Sequence, residues 1–490
     1  MDVEVTVRQG RLRGRITDGV AAFRGIPYAP APVGDALYRP PGAPPAWDGV
    51  RDAAEFGPTA PKPPYRPPFD ALLGDPDIPG DEFLNLNVWT PDPAGAGLPV
   101  LVWIHGGAFR NGSGAVPTYD GHAFARDGVV LVSLNYRLGV PGFALFPDAP
   151  ANLGLRDQLA ALAWVRDNIA AFGGDPDRVT VAGESAGAMS VATLMALPQS
   201  RGLFRRAVTQ SGACQGTVTA DDARLVLAET AKTLGVEPTA RAFAAVPMDQ
   251  LIAAQDTIGR NLAVTRDAAR FGKSVVAAAM AYPPVVDGEF LERPPLELIA
   301  EGAGGDVTLL TGTTTEEQRF FLVPTGITRF LDARALTAMA GEKLAAAYTA
   351  NRPDASPGDV GSALLTDRYF RIPAIRMAEL RDGGPAPTYM YEFAWGTEVA
   401  GLGACHALEL GFVFDTLGHP STAGMTGDAP QDLARRMHAA WVAFATDGDP
   451  GWAPYDLDKR PVMVFDDPEQ GVVDDPRGDE RGLWVSAPDR

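Results

Sequence analysis

The chain has 490 residues, of which 46% are hydrophobic and 21% charged, as in ordinary soluble globular proteins. Its 42 basic and 61 acidic residues give a net charge of −19, which disfavours nucleic-acid and anionic-membrane partners. No apolar run approaches the roughly 20 residues of a transmembrane helix, the N-terminus lacks the apolar segment of a secretory signal, and only two cysteines occur. These features predict a cytoplasmic protein without a disulfide framework or a metal cluster.

The first part of the chain contains strands and a long loop. Residues 3–29 alternate apolar and polar positions around glycine turns, which predicts antiparallel strands. The proline- and glycine-rich residues 60–82 form a long irregular segment, which in a compact protein is usually functional or disordered. From Leu98 the pattern changes, because two short apolar runs, 98–105 and 129–134, bracket a glycine-rich loop and predict strands.

Helices and strands alternate in the rest of the chain. Residues 152–172 carry apolar side chains at helical spacing, and 178–183 form a short strand that a helix follows from about Ala186. Three further strands are predicted, at 205–213, 307–312 and 388–393. Two further helical regions are predicted, at 220–280 and 430–445. Strands separated by helices predict an α/β fold with a large, mostly parallel central sheet and helices on both faces. Because no internal repeat or clear linker is visible, we expect residues 1–490 to form a single domain.

Residues 181–190, VAGESAGAMS, contain a G-x-S-x-G motif centred on Ser185, with a predicted strand before it and a predicted helix after it. This context presents a serine oxygen at the top of a sheet, on a sharp turn where glycines let the chains approach closely. The motif therefore predicts a nucleophile. The alternative is a glycine-rich turn with a helix-capping serine.

A serine nucleophile needs a base, which is usually a histidine. The chain has five histidines: His105, His122, His406, His419 and His438. The chain order Ser, acid, His excludes the two that precede Ser185. His438 lies in the amphipathic helix, where we expect a solvated side chain, and His419 lies in a G-H-P loop. His406 is therefore the predicted base, and its neighbour Cys405 is predicted to be a buried apolar residue rather than a thiol nucleophile.

The acid and the anion site are predicted from two further loops. Glu316 and Glu317 come just past the strand at 307–312, where active-site loops of parallel sheets lie, and spacing alone does not choose between them. The acid would hold the imidazole tautomer and stabilise the imidazolium. The glycine-rich run IHGGAF, 104–109, follows the strongest strand and resembles an oxyanion loop, in which backbone N–H groups converge on a developing negative charge.

Many ordered segments together make the chain resemble the type-B carboxylesterases, a family that includes bacterial p-nitrobenzyl esterases, animal carboxylesterases and cholinesterases. The segments are FRGIPYA (23–29), LNLNVWTP (84–91), WIHGGAF (103–109), NYRLG (135–139), the stretch from NLGLRDQ to GESAG (152–187), FRRAVTQSG (204–212), PVVDG (284–288), HALELGFVF (406–414) and WAPYD (452–456). The resemblance implies an α/β-hydrolase fold, a Ser–Glu–His triad and no metal or organic cofactor.

The resemblance also assigns expected roles to individual residues. By motif position Glu317 corresponds to the triad acid, and the expected oxyanion donors are the N–H groups of Gly107, Ala108 and Ala186. Three further residues are expected to line the site, namely Glu184, Ser211 and Gly106.

The chain departs from the family pattern at three places. Phe83 replaces a cysteine, which implies that the disulfide of secreted relatives is absent, and Gln318 stands where glycine is usual after the acid. The loop 60–82 contains Tyr65 and Phe69 but no tryptophan, which argues against a cholinesterase-like cation site.

The resulting hypothesis is a hydrolase of small to medium carboxylic esters that works through an acyl-enzyme, as a monomer or a small homo-oligomer. Cleavage of carbamates or amides by the same triad is an alternative, because the shape of the pocket decides between them. A lipase is less favoured, and a non-catalytic binding module is disfavoured because Ser185 is present. Activity is expected to fall below about pH 6.5, the reference pKa of an imidazole.

Overall fold

A large sheet runs through the molecule, of which a computed structural model describes residues 1–485. The strands in this range are β1 (Asp2–Val7), β2 (Gly10–Thr17), β3 (Val20–Pro27), β4 (Val50–Asp52), β5 (Asn85–Thr90), β6 (Leu98–Ile104), β7 (Val130–Leu134), β8 (Gly174–Glu184), β9 (Arg206–Gln210), β10 (Val218–Thr219), β11 (Val285–Val286), β12 (Thr308–Thr314), β13 (Thr388–Phe393), β14 (Pro461–Phe465) and β15 (Gly471–Asp474). The small pair β10–β11 stands apart from the main sheet.

The main sheet has the order β1-β2-β3-β5-β7-β6-β8-β9-β12-β13-β14-β15, with β4 added beside β2. The first five strands pair antiparallel, the strands from β7 to β14 pair parallel, and β15 closes the far edge antiparallel. The predicted α/β class, with antiparallel strands at the N-terminus and a parallel centre, is therefore confirmed.

Helices occupy most of the connections between the parallel strands. They are α1 (His122–Arg126), α2 (Gly139–Phe143), α3 (Leu153–Asn168), α4 (Ala186–Ala196), α5 (Ala220–Leu234), α6 (Ala240–Ala244), α7 (Met248–Thr265), α8 (Ala268–Phe271), α9 (Lys273–Ala278), α10 (Pro295–Ala300), α11 (Arg319–Leu322), α12 (Ala333–Ala340), α13 (Glu342–Ala350), α14 (Pro357–Thr366), α15 (Ile372–Glu379), α16 (Leu410–Val413), α17 (Pro420–Thr426), α18 (Gln431–Asp447) and α19 (Gly478–Val485). None of the helices in this part of the chain is long and apolar enough to cross a membrane.

Both faces of the sheet are buried at its centre, which explains why β6 and β7 are almost entirely apolar. In β6, Val100, Val102 and Ile104 pack into one hydrophobic cluster, which also contains residues of α3 and α4. The alternate residues Leu101 and Trp103 pack into a second cluster with α16 and α18 on the opposite face. Because side chains alternate along a strand, one strand contributes to two cores.

Two predictions about single residues are resolved by the local backbone. Gln318 has φ −72° and ψ −13°, a conformation open to any residue, so the loop does not require the usual glycine. The prediction of a solvated His438 was wrong. Its side chain is buried, with Nδ1 2.7 Å from the carbonyl oxygen of Val413 and Nε2 3.2 Å from Asp127, because α18 is covered on a wider face than its apolar stripe indicated.

The carboxyl ends of β6, β8, β12 and β13 meet at one edge of the sheet. In open α/β sheets ligands bind at this edge. The loops that follow β6, β8 and β12 carry Gly107, Ser185 and Glu317, and the loop after β13 leads to His406. The topology therefore gathers four distant segments of the chain at one place.

Candidate active site

Ser185 lies at a sharp turn between β8 and α4, with φ 54° and ψ −123°, a combination that non-glycine residues rarely adopt. A Cβ atom placed on Gly187 would lie 2.0 Å from the carbonyl oxygen of Ile104, and one on Gly183 would lie 2.5 Å from the carbonyl carbon of Gly187. The two glycines of the motif are therefore needed because helix, turn and neighbouring strand almost touch. The strained turn brings Ser185 to the wall of a cavity.

The loop after β6 approaches this turn from the side. Gly107, Ala108 and Phe109 all have positive φ values, 112°, 55° and 58°. A Cβ atom on Gly106 would lie 2.8 Å from Glu184 Oε2 and 3.1 Å from the Cβ atom of Ser185. Only a glycine at position 106 lets the loop pass this close to the serine.

The backbone N–H groups of Gly107, Ala108 and Ala186 donate no hydrogen bond to any residue that the structure describes. Ala186 is the first residue of α4, so its N–H group has no partner within the helix. A helix N-terminus also favours negative charge. Among the described residues, the three predicted oxyanion donors therefore have N–H groups without an acceptor, Ala186 directly after Ser185 and Gly107 and Ala108 in the loop after β6.

His406 and Glu317 form a buried pair. The Nδ1 atom of His406 lies 2.5 Å from Oε2 of Glu317, and the N–H group of Thr314 donates to the other carboxylate oxygen of Glu317 at 2.9 Å. Both side chains are almost fully buried. With Nδ1 held by the carboxylate, Nε2 is the ring nitrogen left for other partners.

Glu316 points away from the imidazole. Its Oε2 accepts a hydrogen bond from the N–H group of Ala404 at 2.8 Å, and its Oε1 lies 3.7 Å from Arg319. Of the two adjacent carboxylates that the sequence left open, only Glu317 contacts His406.

Glu184 is the second carboxylate beside the imidazole. Its Oε1 lies 3.0 Å from Nε2 of His406. The hydroxyl of Ser185 makes no hydrogen bond to any side chain within residues 1–485. In the resting structure Nε2 therefore faces Glu184, and Ser185 and His406 meet only as neighbours in the wall of the same cavity.

The cavity over Ser185 has a volume of about 1870 Å³. Its lining includes Gly106, Gly107, Ala108, Glu184 and His406, together with aromatic and aliphatic side chains. No three His, Cys, Asp or Glu side chains of the described chain are grouped so that they could hold a metal ion. The cavity is large enough for a drug-sized organic molecule.

The family model described as "Carboxylesterase family" matches residues 1–484 of the chain. The chain belongs to the carboxylesterase family. It is therefore an enzyme of the carboxylesterase class, and its α/β-hydrolase fold is that of its relatives.

This carboxylesterase resembles several characterised proteins over nearly its whole length. It is 37% identical to the para-nitrobenzyl esterase of Bacillus subtilis, with 97% of each chain covered. It is also 37% identical to the phenmedipham hydrolase of Pseudarthrobacter oxydans, over 98% of this chain and 96% of the relative. The crystal structure of a Geobacillus stearothermophilus carboxylesterase at pH 6.2 superposes with a TM-score of 0.86 and 38% identity, covering 98% of this chain and 99% of the other.

The pKa of His406 in this carboxylesterase is raised well above its usual value of 6.5. Burial opposes the positive charge, but the carboxylates of Glu184 and Glu317 favour it more strongly. The rings of Phe320, Phe321 and Phe370 pack near the imidazole at centroid distances of 5.0 to 6.2 Å. Two carboxylates in an apolar surrounding therefore hold the imidazolium form to a higher pH than 6.5.

The acid limb of the pH profile of kcat/KM is expected to lie above pH 6.5. An imidazole acts as a base only when it is neutral, and a raised pKa means that it loses its proton only at a higher pH. Glu184→Gln removes one of the two carboxylates and is expected to lower the pKa of His406, moving this limb of kcat/KM down by about one pH unit or more. The measurement is kcat/KM for a neutral nitrophenyl ester from pH 5 to 9. Glu342→Gln, at another part of the cavity wall, serves as a control and should leave the limb in place. An unmoved limb in Glu184→Gln would contradict the assignment.

Near the imidazole of His406, a series of buried side chains is linked by hydrogen bonds, and the sequence analysis did not identify it. Glu409 accepts a hydrogen bond from the amide of Gln210 at 3.2 Å, and the indole N–H of Trp441 donates to the same Gln210 at 2.9 Å. Burial, followed by the nearby carboxylates of Glu184 and Glu317, raises the pKa of Glu409 to about 8. The raised pKa favours the neutral form of Glu409, and its position three residues after His406 is the one signal that could have found it.

Ser211 lies at the end of β9, where its N–H group donates to the carbonyl of Gly312 at 2.8 Å. Its φ is 52°, and its buried hydroxyl has no hydrogen-bond partner among residues 1–485. The structure therefore leaves the expected role of Ser211 without a contact that would define it.

Lys62 and Asp75 fasten the proline-rich segment 60–82 to the loop after β6. The Nζ atom of Lys62 lies 2.7 Å from Asp75 Oδ1, and their side chains are only 3% and 6% exposed. Gly112 donates its N–H to Asp75 at 3.1 Å and accepts from Lys62 at 3.3 Å, while the amide of Asn111 donates to the carbonyl of Pro63 at 2.5 Å. We call these contacts the Lys62–Asp75 clamp. It braces the turn that also forms the predicted oxyanion loop.

Lys62→Met is expected to destabilise the protein by about 3 kcal/mol, because it leaves a buried carboxylate without its partner. It should also lower kcat at least about tenfold, because a loosened loop no longer aims its N–H groups. Chemical unfolding and ester hydrolysis would measure both effects. The matched double variant Lys62→Met/Asp75→Asn removes the orphaned charge and should recover most of the stability. A single variant as stable as the double one would contradict the buried pairing.

Proposed function

We propose that this carboxylesterase hydrolyses carboxylic esters of small to medium size through an acyl-enzyme formed on Ser185. The observation that carries the proposal is the meeting of three features at one edge of the sheet. These are a serine on a strained turn, an imidazole held by a buried carboxylate, and backbone N–H groups that have no acceptor among residues 1–485. Each has a defined task in acyl transfer.

In the first half-reaction His406 takes the proton of the Ser185 hydroxyl at Nε2 while the serine oxygen attacks the ester carbonyl carbon. The negative charge develops on the former carbonyl oxygen, where the N–H groups of Gly107, Ala108 and Ala186 would bind it. Glu317 keeps the proton on Nδ1 and stabilises the imidazolium. The intermediate then collapses, and the alcohol leaves with the proton from Nε2.

In the second half-reaction water attacks the acyl carbon and gives a proton to Nε2 of His406. The acid departs when this proton returns to the oxygen of Ser185, which restores the enzyme. Because Nε2 faces Glu184 at rest, substrate binding has to bring Nε2 and the serine hydroxyl into a hydrogen bond. Catalytic hydrogen bonds often tighten in this way when substrate binds.

The proposal is tested by covalent labelling with a dialkyl fluorophosphate. We expect a single adduct on the peptide that contains Ser185, and loss of 4-nitrophenyl acetate hydrolysis in proportion to labelling. Activity that survives complete labelling, or protein that neither labels nor hydrolyses the ester, would overturn the proposal.

The ester class is tested against the carbamates and amides that the same groups could cleave. A matched ester, carbamate and anilide with one acyl part should be compared by kcat/KM. We expect the ester to be preferred, and a higher kcat/KM on the carbamate or the anilide would replace the ester in the proposal while leaving the serine chemistry unchanged.

A further inference from the structure

The cavity over Ser185 has a charge balance opposite to that of the chain. The whole chain has 61 acidic and 42 basic residues. The side chains that line the cavity include six cationic ones, Arg110, Arg266, Lys273, Lys343, Arg368 and Arg376, but only three acidic ones, Asp75, Glu184 and Glu342. The lining of the cavity is thus richer in cationic than in acidic side chains, although the chain as a whole is acidic.

Two of the three acidic side chains are already engaged. Asp75 belongs to the Lys62–Asp75 clamp, and Glu184 lies beside His406. Of the three acidic side chains, only Glu342 forms no ion pair within residues 1–485. Within residues 1–485, none of these three acidic side chains forms an ion pair with Arg110 or Arg266.

Of these six cations, Arg110 is the one closest in sequence to the predicted oxyanion donors. It follows the loop of Gly107 and Ala108, and its N–H group donates to the carbonyl of Gly107 at 3.0 Å. Its half-buried guanidinium lies against α7, where a Cβ atom on Gly259 would be only 2.9 Å from Nη1. The glycine in the helix leaves room for the guanidinium at the cavity wall.

The carboxylate nearest to Arg110 is shared among three arginines. Asp256 accepts hydrogen bonds from Arg66 at 2.8 Å and Arg260 at 2.9 Å, whereas its distance to Arg110 Nη1 is 3.7 Å. Arg110 also donates from Nε to Asn111 at 3.1 Å, but its Nη2 has no hydrogen bond within the described chain. One carboxylate facing three guanidiniums leaves two positive charges, and Arg110 is the member of this group that lines the cavity.

We propose that Arg110 binds a carboxylate carried by the substrate, so that this enzyme prefers esters with an anionic group over neutral esters of the same shape. The inference rests on the proposed ester hydrolysis and adds its substrate class. A guanidinium with free donors matches a carboxylate in geometry as well as charge. Arg266, at the end of α7, also lines the cavity, and within residues 1–485 its Nη2 donates only to the neutral hydroxyl of Tyr369, at 3.0 Å.

The experiment compares two pairs of isosteric esters at low ionic strength. On the acyl side, 4-nitrophenyl hydrogen glutarate is compared with 4-nitrophenyl 5-methylhexanoate. On the alcohol side, 4-acetoxybenzoate is compared with 4-isopropylphenyl acetate. In each pair an isopropyl group replaces the carboxylate. The measured quantity is the anion-to-neutral ratio of kcat/KM after the uncatalysed rate is subtracted.

We expect Arg110→Gln to lower this ratio about three- to tenfold in at least one pair, the size of a partly exposed charge-assisted contact. Arg260→Gln is the matched control, because Arg260 shares Asp256 with Arg110 but does not line the cavity. It should leave the ratio unchanged. Two outcomes would overturn this inference alone. In the first, Arg110→Gln still hydrolyses the neutral esters and its anion-to-neutral ratio is unchanged. In the second, Arg260→Gln lowers the ratio as much as Arg110→Gln does. A wild-type enzyme that hydrolyses none of the four esters would overturn the proposed function as well.

Discussion

Replacing Ser185 by alanine is expected to lower kcat for 4-nitrophenyl acetate by about five to six orders of magnitude, the size of effect seen when a serine nucleophile is removed from a triad. The reason is chemical rather than structural, because alanine keeps the Cβ atom and removes only the attacking oxygen. The fold should therefore persist, and unfolding by denaturant should give a nearly unchanged midpoint.

Ser190→Ala is the matched control for this experiment. Ser190 lies on the same helix, α4, but its hydroxyl accepts a hydrogen bond from Gln158 at 3.0 Å inside the core. This variant should lose some stability and retain most of its kcat. If Ser185→Ala kept more than about a tenth of the wild-type rate, the acyl-enzyme mechanism would be wrong.

Glu317→Gln is expected to lower kcat by about 10⁴-fold, as in other triads whose acid is replaced by its amide. An amide can donate its N–H to Nδ1 of His406, which puts the ring proton on Nε2, where the base must be free. The amide also no longer stabilises the imidazolium. Single-turnover hydrolysis of a nitrophenyl ester would measure the slowed acylation directly.

The neighbouring Glu316→Gln provides the comparison, because its side chain accepts from Ala404 and does not contact His406. A glutamine at this position keeps an oxygen acceptor, so the variant should retain kcat within about threefold. A larger loss in Glu316→Gln than in Glu317→Gln would reverse the assignment of the acid.

The sequence predicted the strands and helices well where the local pattern of apolar residues and glycines follows from the local backbone structure. The apolar runs at 98–105 and 388–393 became β6 and β13, and the helix expected from Ala186 begins at that residue. These features are local, because burial on both faces makes a strand apolar throughout and a nucleophile turn requires its glycines. The order of strand, turn and helix around Ser185 followed from the same local patterns. The single domain remains a prediction.

The contacts that depend on packing between distant segments could not be predicted in this way. No periodicity marks Lys62 and Asp75 as partners, since both lie in an irregular loop that only the fold lays against Gly112. His438 looked exposed because a helical stripe shows which face is apolar but not how widely a neighbour covers the helix. The choice of Glu317 came from the family resemblance, since the direction in which each adjacent carboxylate points depends on the loop that carries Ala404.

The clamp also bears on how this enzyme responds to its chemical surroundings. Phe83, for which the family resemblance predicted a cysteine, is packed into the core, and both cysteines of the chain are free and buried. The loop beside the turn of Ser185 is thus held by an ion pair and by packing, and no cysteine takes part in holding it. Reducing and oxidising conditions leave such a fastening equally intact, whereas a change in the charge of either partner would release it.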